Sequence, residues 1–400
     1  MERVRLLTAG ESHGPGLTAI LTGIPAGLAI EFDAIQRQLQ RRQHGYGRGR
    51  RMQIETDTVE IRGGVRGSQT LGSPIALWIE NRDHENWTGV MDPLHLDPDR
   101  SEKRRLRSPR PVHADLAGGL KFLRHDLRDI LERASARESV ARVAAGAITM
   151  ILLAEFGIEI LSGVRSLGSI GADSSPPSWQ DLLSMDDSSP LRAIDPTLEP
   201  EMIRLVDQSK EAGDTLGGAV TVIAHNVPAG LGSHVQWNRK LDGALTQAVM
   251  SVPAVKAVEI GSALTASRGP GSQAHDPIER SAAGDWHRST NRAGGLEGGI
   301  TNGEDVVITA YKKPISTLRE GLPSVDLDTL EPARGQYERS DVTALPAAGV
   351  IAEAMVALVL ADALLLKVGG DSMDEVRAHF DTTLAQQRAW PRSEQNQGDA

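Results

Sequence analysis

Residues 347–366 read AAGVIAEAMVALVLADALLL, the longest apolar stretch of the chain. A run of this length is enough to cross a bilayer. Glu353 and Asp362 sit inside it, however, and ionised carboxylates at bilayer depth are costly. The stretch therefore reads as a buried protein helix over Pro346–Val368, stopped by Gly369-Gly370. That reading makes the chain a folded protein with an interior, and excludes a membrane protein.

The rest of the composition agrees. Of 400 residues, 40% are hydrophobic and 24% charged, as in ordinary folded domains. The length suits one large domain or a few smaller ones. Without a single cysteine, neither a disulfide framework nor a thiolate metal site can form, and no metal centre is expected. Met1-Glu2-Arg3-Val4-Arg5 leads straight into a strand with no signal peptide, so a cytoplasmic location is expected.

Outward from the apolar helix, strands are expected at Val4–Ala9, Met52–Arg62, Pro74–Glu80, Ile158–Arg165, Gly218–His225, Val255–Ile260 and Asp305–Lys312. A helix is expected from Phe32 to about Gln43 with Asp33 as its cap, and another at Arg239–Val252. Ser135-Ala136-Arg137-Glu138 has capping-box spacing and opens a helix to about Phe156. Asp83–Arg110, polar and interrupted by prolines, reads as a long loop or lid. Asp173–Pro190 reads as a surface excursion. Residues 381–400, polar above all from about Gln386, read as a disordered tail behind a single unit over 1–380. No repeat or sustained βαβ rhythm emerges, so the residues alone give mixed α and β, class α+β, in one large unit.

Two histidines stand in unusual settings, Gly10-Glu11-Ser12-His13-Gly14 and Arg110-Pro111-Val112-His113-Ala114-Asp115. Histidine gives or takes a proton near neutral pH, and arginine grips carboxylate or phosphate with a rigid fork. Residues 1–150 hold 23 Lys+Arg against 19 Asp+Glu, a net +4, inside a chain of net −10. Arg42, Arg48, Arg50 and Arg51 lie in a glycine-rich loop, where they either converge on one anion or form a solvated basic arm. Arg133 and Arg137 bracket the expected start of the helix after Ser135, where free amides and the helix dipole favour an anion. Together these features suggest acid–base chemistry on a small, multiply anionic ligand. Asn291–Gly303 carries clustered glycines suited to close approach of a flat ligand, or to a plain turn. Aromatic residues make up only 3%, too few for base-stacking platforms, so no nucleic-acid partner is expected.

The ordered set Gly10–Gly14, Arg41–Met52, Arg110–Asp115, Glu132–Val143, Lys240–Gly261, Asn291–Gly303, Lys313–Thr317, Arg339–Asp341 and Ala361–Ser372 resembles the chorismate synthase family over roughly residues 1–375. The resemblance implies a β-α-β sandwich subunit in a homotetramer. It implies a 1,4-elimination that turns 5-enolpyruvylshikimate 3-phosphate into chorismate and phosphate, the last step of the shikimate pathway, with reduced FMN (FMNH2) required and no net redox change. By the same resemblance, His13 would protonate the departing phosphate, His113 would stand beside the reduced flavin, and Asp341 would assist proton removal. Arg42, Arg48, Arg51, Arg110, Arg137 and Arg339 fall at substrate-anion positions. Arg133, Ala134, Ser135, Pro253, Ala254, Gly298, Lys313, Pro314, Ile315, Ser316, Thr317 and Arg339 fall at FMN positions. Arg339 and Asp341, two apart, would share a face if they lay on one strand.

Val112 departs from the family pattern, which has glycine before the second histidine. An extended conformation, which valine tolerates, is expected there. No segment is left over for a fused flavin reductase, so an external reductase is expected, with NADPH only an indirect electron source. Two other readings stay open from the residues: a flavin-free phosphate-ester hydrolase or phosphotransferase with His13 as nucleophile, and an RNA-binding protein using Arg41–Arg51.

Overall fold

The computed structural model describes residues 2–48, 56–172, 176–186, 188–281, 286–338 and 341–390. In chain order its main elements are β1 (Arg5–Ala9), β2 (Gly16–Thr22), α1 (Phe32–Gln43), β3 (Val59–Gly63), β4 (Ile75–Glu80), α2 (Asp115–Phe122), α3 (Arg128–Ala134) and α4 (Ser139–Ala154). They continue with β5 (Glu159–Leu167), α5 (Glu199–Ala212), β6 (Gly218–His225), α6 (Leu241–Met250), β7 (Val255–Ile260), β8 (Val306–Lys312), α7 (Leu345–Val368) and α8 (Met373–Arg388).

Two antiparallel four-stranded sheets, ordered β1-β2-β4-β3 and β5-β6-β8-β7, enclose a helical layer. α4 lies against the first sheet, α7 against β5 and β6 of the second, and the two helices pack on each other. This is a β-α-β sandwich built around the apolar helix, in which every residue from Leu345 to Leu365 is buried. A helix apolar on all sides needs neighbours on all sides, and the middle layer supplies them. Gly146 sits where α4 meets α7, because a Cβ there would collide with the backbone and side chain of Ala354.

Both carboxylates of α7 are fully committed. Glu353, completely buried, takes a two-pronged bond from Arg41 (2.6 and 2.8 Å) and a hydroxyl from Ser162 (2.6 Å). It thereby ties the end of α1 to the central layer. Asp362 accepts the backbone N–H groups of Glu2, Arg3 and Val4 (2.8–3.1 Å), anchoring the start of β1. In the second sheet, Thr221 and Thr309 face each other across β6 and β8 with hydroxyls 3.0 Å apart.

Several expectations need correction. The N-cap of α1 is Glu31 and makes no side-chain bond, with Asp33 inside the first turn. The Ser135 capping box does not form. Ser135 Oγ accepts from Arg137 N–H (3.3 Å), a single 3-10 turn over Ala136–Glu138 follows, and the Glu138 carboxylate turns to Arg142. Asp83–Arg110 is more than a loop, holding a 3-10 helix at Arg82–Trp87 and an α-helix at Pro98–Arg104. α8 continues through Arg388, well into the expected disordered tail, while residues 391–400 lie outside the described set. So do 52–55 of the expected strand Met52–Arg62, which the structure shows from Val59.

Candidate active site

His13 leaves the end of β1 on the turn into β2 and is buried. Its Nδ1–H donates to Glu132 Oε1 (2.8 Å), and its backbone N–H donates to Glu132 Oε2 (2.8 Å). The ring stacks on Trp87 at 3.8 Å, and Arg104 and Arg128 lie over Trp87 in turn. The Glu132 contact fixes the orientation of the imidazole through Nδ1. Burial pushes the Glu132 carboxyl up, but hydrogen bonds and charge from His13, with Arg128 behind, hold it below the usual carboxylate range.

His113 is held by a more local version of the same device. Its Nδ1 lies 2.6 Å from Asp115 Oδ1. Asp115, fully buried at the first turn of α2, also takes Arg110 Nε (2.8 Å), Nη2 (3.0 Å) and backbone N–H (3.0 Å). Burial raises this carboxyl, yet the bonds from His113 and Arg110 push it well below its ordinary value. Arg110 Nη1 reaches Thr317 Oγ1 (3.0 Å), so this arginine joins the His113 turn to the Lys313–Thr317 loop. Two of its nitrogens meet Asp115, so this arginine also positions the His113 turn.

The turn itself overturns an expectation. Val112 has φ of +58°, in the left-handed region that disfavours β-branched residues. It is 70% exposed, and its carbonyl accepts the Ser316 hydroxyl (3.1 Å). The chain must curl back for His113 to reach Asp115, and Val112 takes that curl with a side chain in place.

Arg42 and Arg137 come together on a residue the sequence did not single out. Asp57, buried, accepts Arg42 Nη2 (2.6 Å) at one oxygen and Arg137 Nη1 at the other. Burial raises the Asp57 carboxyl and the two guanidiniums more than offset it, holding it low. Arg137 Nε also bonds Asn81 Oδ1 (2.8 Å). Two cations on one anion leave a net positive charge, and among the described residues Arg42 Nε has no hydrogen-bond partner.

Arg48 Nη1 stands 3.3 Å from Asp341 Oδ2. Asp341 is in the coil ahead of α7 and not on a strand. Arg339 and Arg51 lie outside the described residues. Arg133 sits in the last turn of α3, at the negative end of a helix and not at a helix start, and bonds the carbonyls of Thr8 (2.9 Å) and Gly10 (3.1 Å). Ala254, with φ of +70°, accepts the N–H of Lys313 (2.9 Å), which sets the Pro253-Ala254 turn beside the Lys313–Thr317 loop.

These groups line one cavity of about 970 Å³. Its wall carries His13, His113, Arg42, Arg48, Arg110, Arg137 and Asp341, with Arg133, Ala134, Ser135, Pro253, Ala254, Lys313, Ile315, Ser316 and Thr317. Gly298 and Pro314 are not on that wall; Gly298 turns the hairpin Leu296–Thr301. A second depression of about 1200 Å³ meets it at Arg48, Thr317 and Asp341 but holds neither His13 nor His113. Trp87 and Lys312 also line the main cavity, and neither was foreseen. A weak signal existed for Glu132, which is four residues after Arg128 on one helix. The cavity combines two oriented histidines, excess positive charge and, among its carboxylates, Asp341 paired with Arg48, a set suited to moving protons on a polyanionic ligand.

Comparison with known proteins gives this set a lineage. A family model described as chorismate synthase matches residues 4–365. A chorismate synthase from Solibacter usitatus is 51% identical over 386 residues, covering 96% of this chain and 99% of its own. One from Thermus thermophilus is 51% identical, covering 97% of this chain and 100% of its own. A crystal structure of chorismate synthase superposes with a TM-score of 0.78 at 42% identity, covering 98% of this chain and all of that one. The sandwich, the paired histidines and the arginine-lined cavity thus occur in a chain that belongs to the chorismate synthase family, a family of lyases.

Proposed function

We propose that this chain converts 5-enolpyruvylshikimate 3-phosphate to chorismate by 1,4-elimination of phosphate, with reduced FMN bound in the same cavity. The observation that carries the reading is that His13 and His113, each oriented through Nδ1 by a buried carboxylate, open on one cavity with cations to spare. A substrate with two carboxylates and a phosphate matches that charge.

In this reading Arg42, Arg48 and Arg137 hold the anions and fix the ring, converting binding into orientation. His13 delivers a proton from Nε2 to the phosphate oxygen as the C–O bond breaks, while Glu132 stabilises the ring orientation and its charge. The electron pair of the broken ring C–H bond forms a double bond to the near end of the ring alkene, the alkene pair shifts to the carbon that loses phosphate, and the released proton passes to the Asp341 side of the cavity. Arg48, 3.3 Å away, pairs with that carboxylate and aligns it. His113, clamped by Asp115, holds a proton at a second position.

The site fits FMN. The Ala134-Ser135 and Pro253-Ala254 segments and Lys313, Ile315, Ser316 and Thr317 converge on the cavity, whose arginines and lysines suit an anionic group. Reduced FMN, when bound, would supply electron density to the substrate as phosphate leaves and would end the cycle unchanged. Trp87 is already stacked on His13, so the substrate itself should cover a flavin face and the two should bind synergistically. Electrons for the flavin would come from an external reductase, with NADPH an indirect source. Assembly as a homotetramer is supported by the exposed apolar side chains of Leu116, Leu120, Phe122 and Leu123 on and beside α2. The test of the reaction is an anaerobic assay for chorismate with and without reduced FMN. Chorismate only in its presence supports the reading, and turnover without flavin refutes it.

A further inference from the structure

Lys312 closes β8, paired with Gly218 of β6 and Val255 of β7, and points its side chain into the wall of the active-site cavity. It is only 8% exposed. Among the described residues, no hydrogen bond or ion pair takes its ammonium. Its neighbour Lys313 is different, with its amine bonded to Ser316 Oγ (2.6 Å) and the Pro314 carbonyl (3.3 Å). The guanidiniums of Arg42, Arg110 and Arg137 likewise have buried carboxylates to meet. An ammonium carries three donors and no acceptor, and enclosing it without a partner is unfavourable. A fold keeps such a group where a ligand brings the missing acceptor.

We propose that Lys312 is an anion-binding residue of this cavity, taking a carboxylate or phosphate oxygen of the bound ligand beside Arg48 and Asp341. The assignment rests on the reading of the cavity as the substrate site. It adds a cation that differs from the arginines in one respect, since it can lose its charge. Burial and then Lys313 push its ammonium down to about 8, Asp341 pulls the other way, and Arg48 lowers it further. Those are the charged groups facing it, from its own strand, from the coil before α7 and from the loop after α1, with Lys256 of β7 acting on Lys313. Only the protonated amine binds an anion. Its contribution is therefore full below about 8 and is lost as pH rises through that value.

The experiment is calorimetric titration of the full chain and of Lys312→Met with 5-enolpyruvylshikimate 3-phosphate, with FMN and with riboflavin, below and above about pH 8. Below that pH the variant should bind one anionic ligand on the order of 10-fold more weakly or worse, the usual effect of losing a charge-assisted hydrogen bond. The wild-type chain should lose that affinity as pH rises, and the variant should not. A weakened substrate with unchanged FMN identifies a substrate anion. Weakened FMN with unchanged riboflavin identifies the flavin phosphate. Without ligand the variant should melt no lower than wild type, because a merely structural lysine would be missed on heating and an unpartnered one is not. Lys312→Gln serves if the methionine variant does not fold. Equal affinities for all three ligands, or an equal loss for riboflavin, overturn the Lys312 assignment alone. A wild-type chain that binds neither substrate nor FMN overturns the functional reading and this assignment with it.

Discussion

His13 takes its carboxylate from Glu132, 119 residues along the chain, whereas His113 takes its own from Asp115, two residues on. The first pair requires the whole fold: β1 must end beside α3, and the segment carrying Trp87 must cover the ring. In return no backbone strain is needed, and the histidine is left deeply set. The second pair needs only a tight turn, and the turn forces Val112 to φ of +58° and leaves the imidazole more open, 21% exposed against 11%. The same chemical device, a histidine oriented by a buried acid, can thus be reached through tertiary structure or through local strain. The two versions should fail differently.

The largest effects should come from the histidines themselves. His13→Ala and His113→Ala should each lower kcat on the order of 10²-fold or more, as for loss of a positioned proton group. Only His13→Ala should also lower the melting temperature clearly, since it removes the Trp87 stacking partner and a donor to buried Glu132, while Asp115 keeps the Arg110 fork. A rise in KM with kcat unchanged would make either residue a binding group. Asp341→Asn should come next, slowing breakage of the ring C–H bond about 10-fold or more with binding little changed. Single-turnover rates with substrate deuterated at the departing position measure it; an unchanged rate and isotope effect make Asp341 only a partner of Arg48.

Acid stability should separate the pairs again. Glu132 and Asp115 both have carboxyls held below their unfolded values, so the folded state gives up protons more readily. Their stabilisation is complete above about pH 5 and is lost as pH falls through the unfolded pKa near 4 toward the folded values. Asp115→Asn should flatten the acid limb of stability by on the order of 1–3 kcal/mol, and Glu132→Gln should flatten it in the same direction. Urea unfolding midpoints across acid pH report this, and curves parallel to wild type would count against both pairs. The smallest effect belongs to the strained turn. Val112→Gly relieves a left-handed valine but loosens the unfolded chain, leaving a net gain of about 1 kcal/mol with kcat unchanged. A less stable variant would show that the valine side chain, not the backbone, matters there.

The histidines were visible in the sequence because their local settings were odd, and β6 and β7 because apolar runs are bounded by turn residues. Glu132 and Asp57 were hidden for a physical reason: an acid that will be buried against an arginine looks, in sequence, like any surface acid. Lys312 was masked by the lysine beside it. α5 was missed because its charged face resembles a loop, and α8 was partly absorbed into an expected tail. Pro98 reads as a breaker, yet proline is welcome in a first helical turn, where Asp97 caps it through Arg100 N–H (3.1 Å). Val112 shows the opposite limit, since residue type argued for an extended backbone and the demand of the His113–Asp115 pair prevailed.

The account stands on two oriented histidines serving one elimination, not a hydrolysis. The most direct measurement follows inorganic phosphate and chorismate together in a single anaerobic turnover of 5-enolpyruvylshikimate 3-phosphate with reduced FMN. Equal amounts of the two, appearing in wild type and suppressed in both histidine variants, is the predicted result. Phosphate released without chorismate, and without need of flavin, would contradict it.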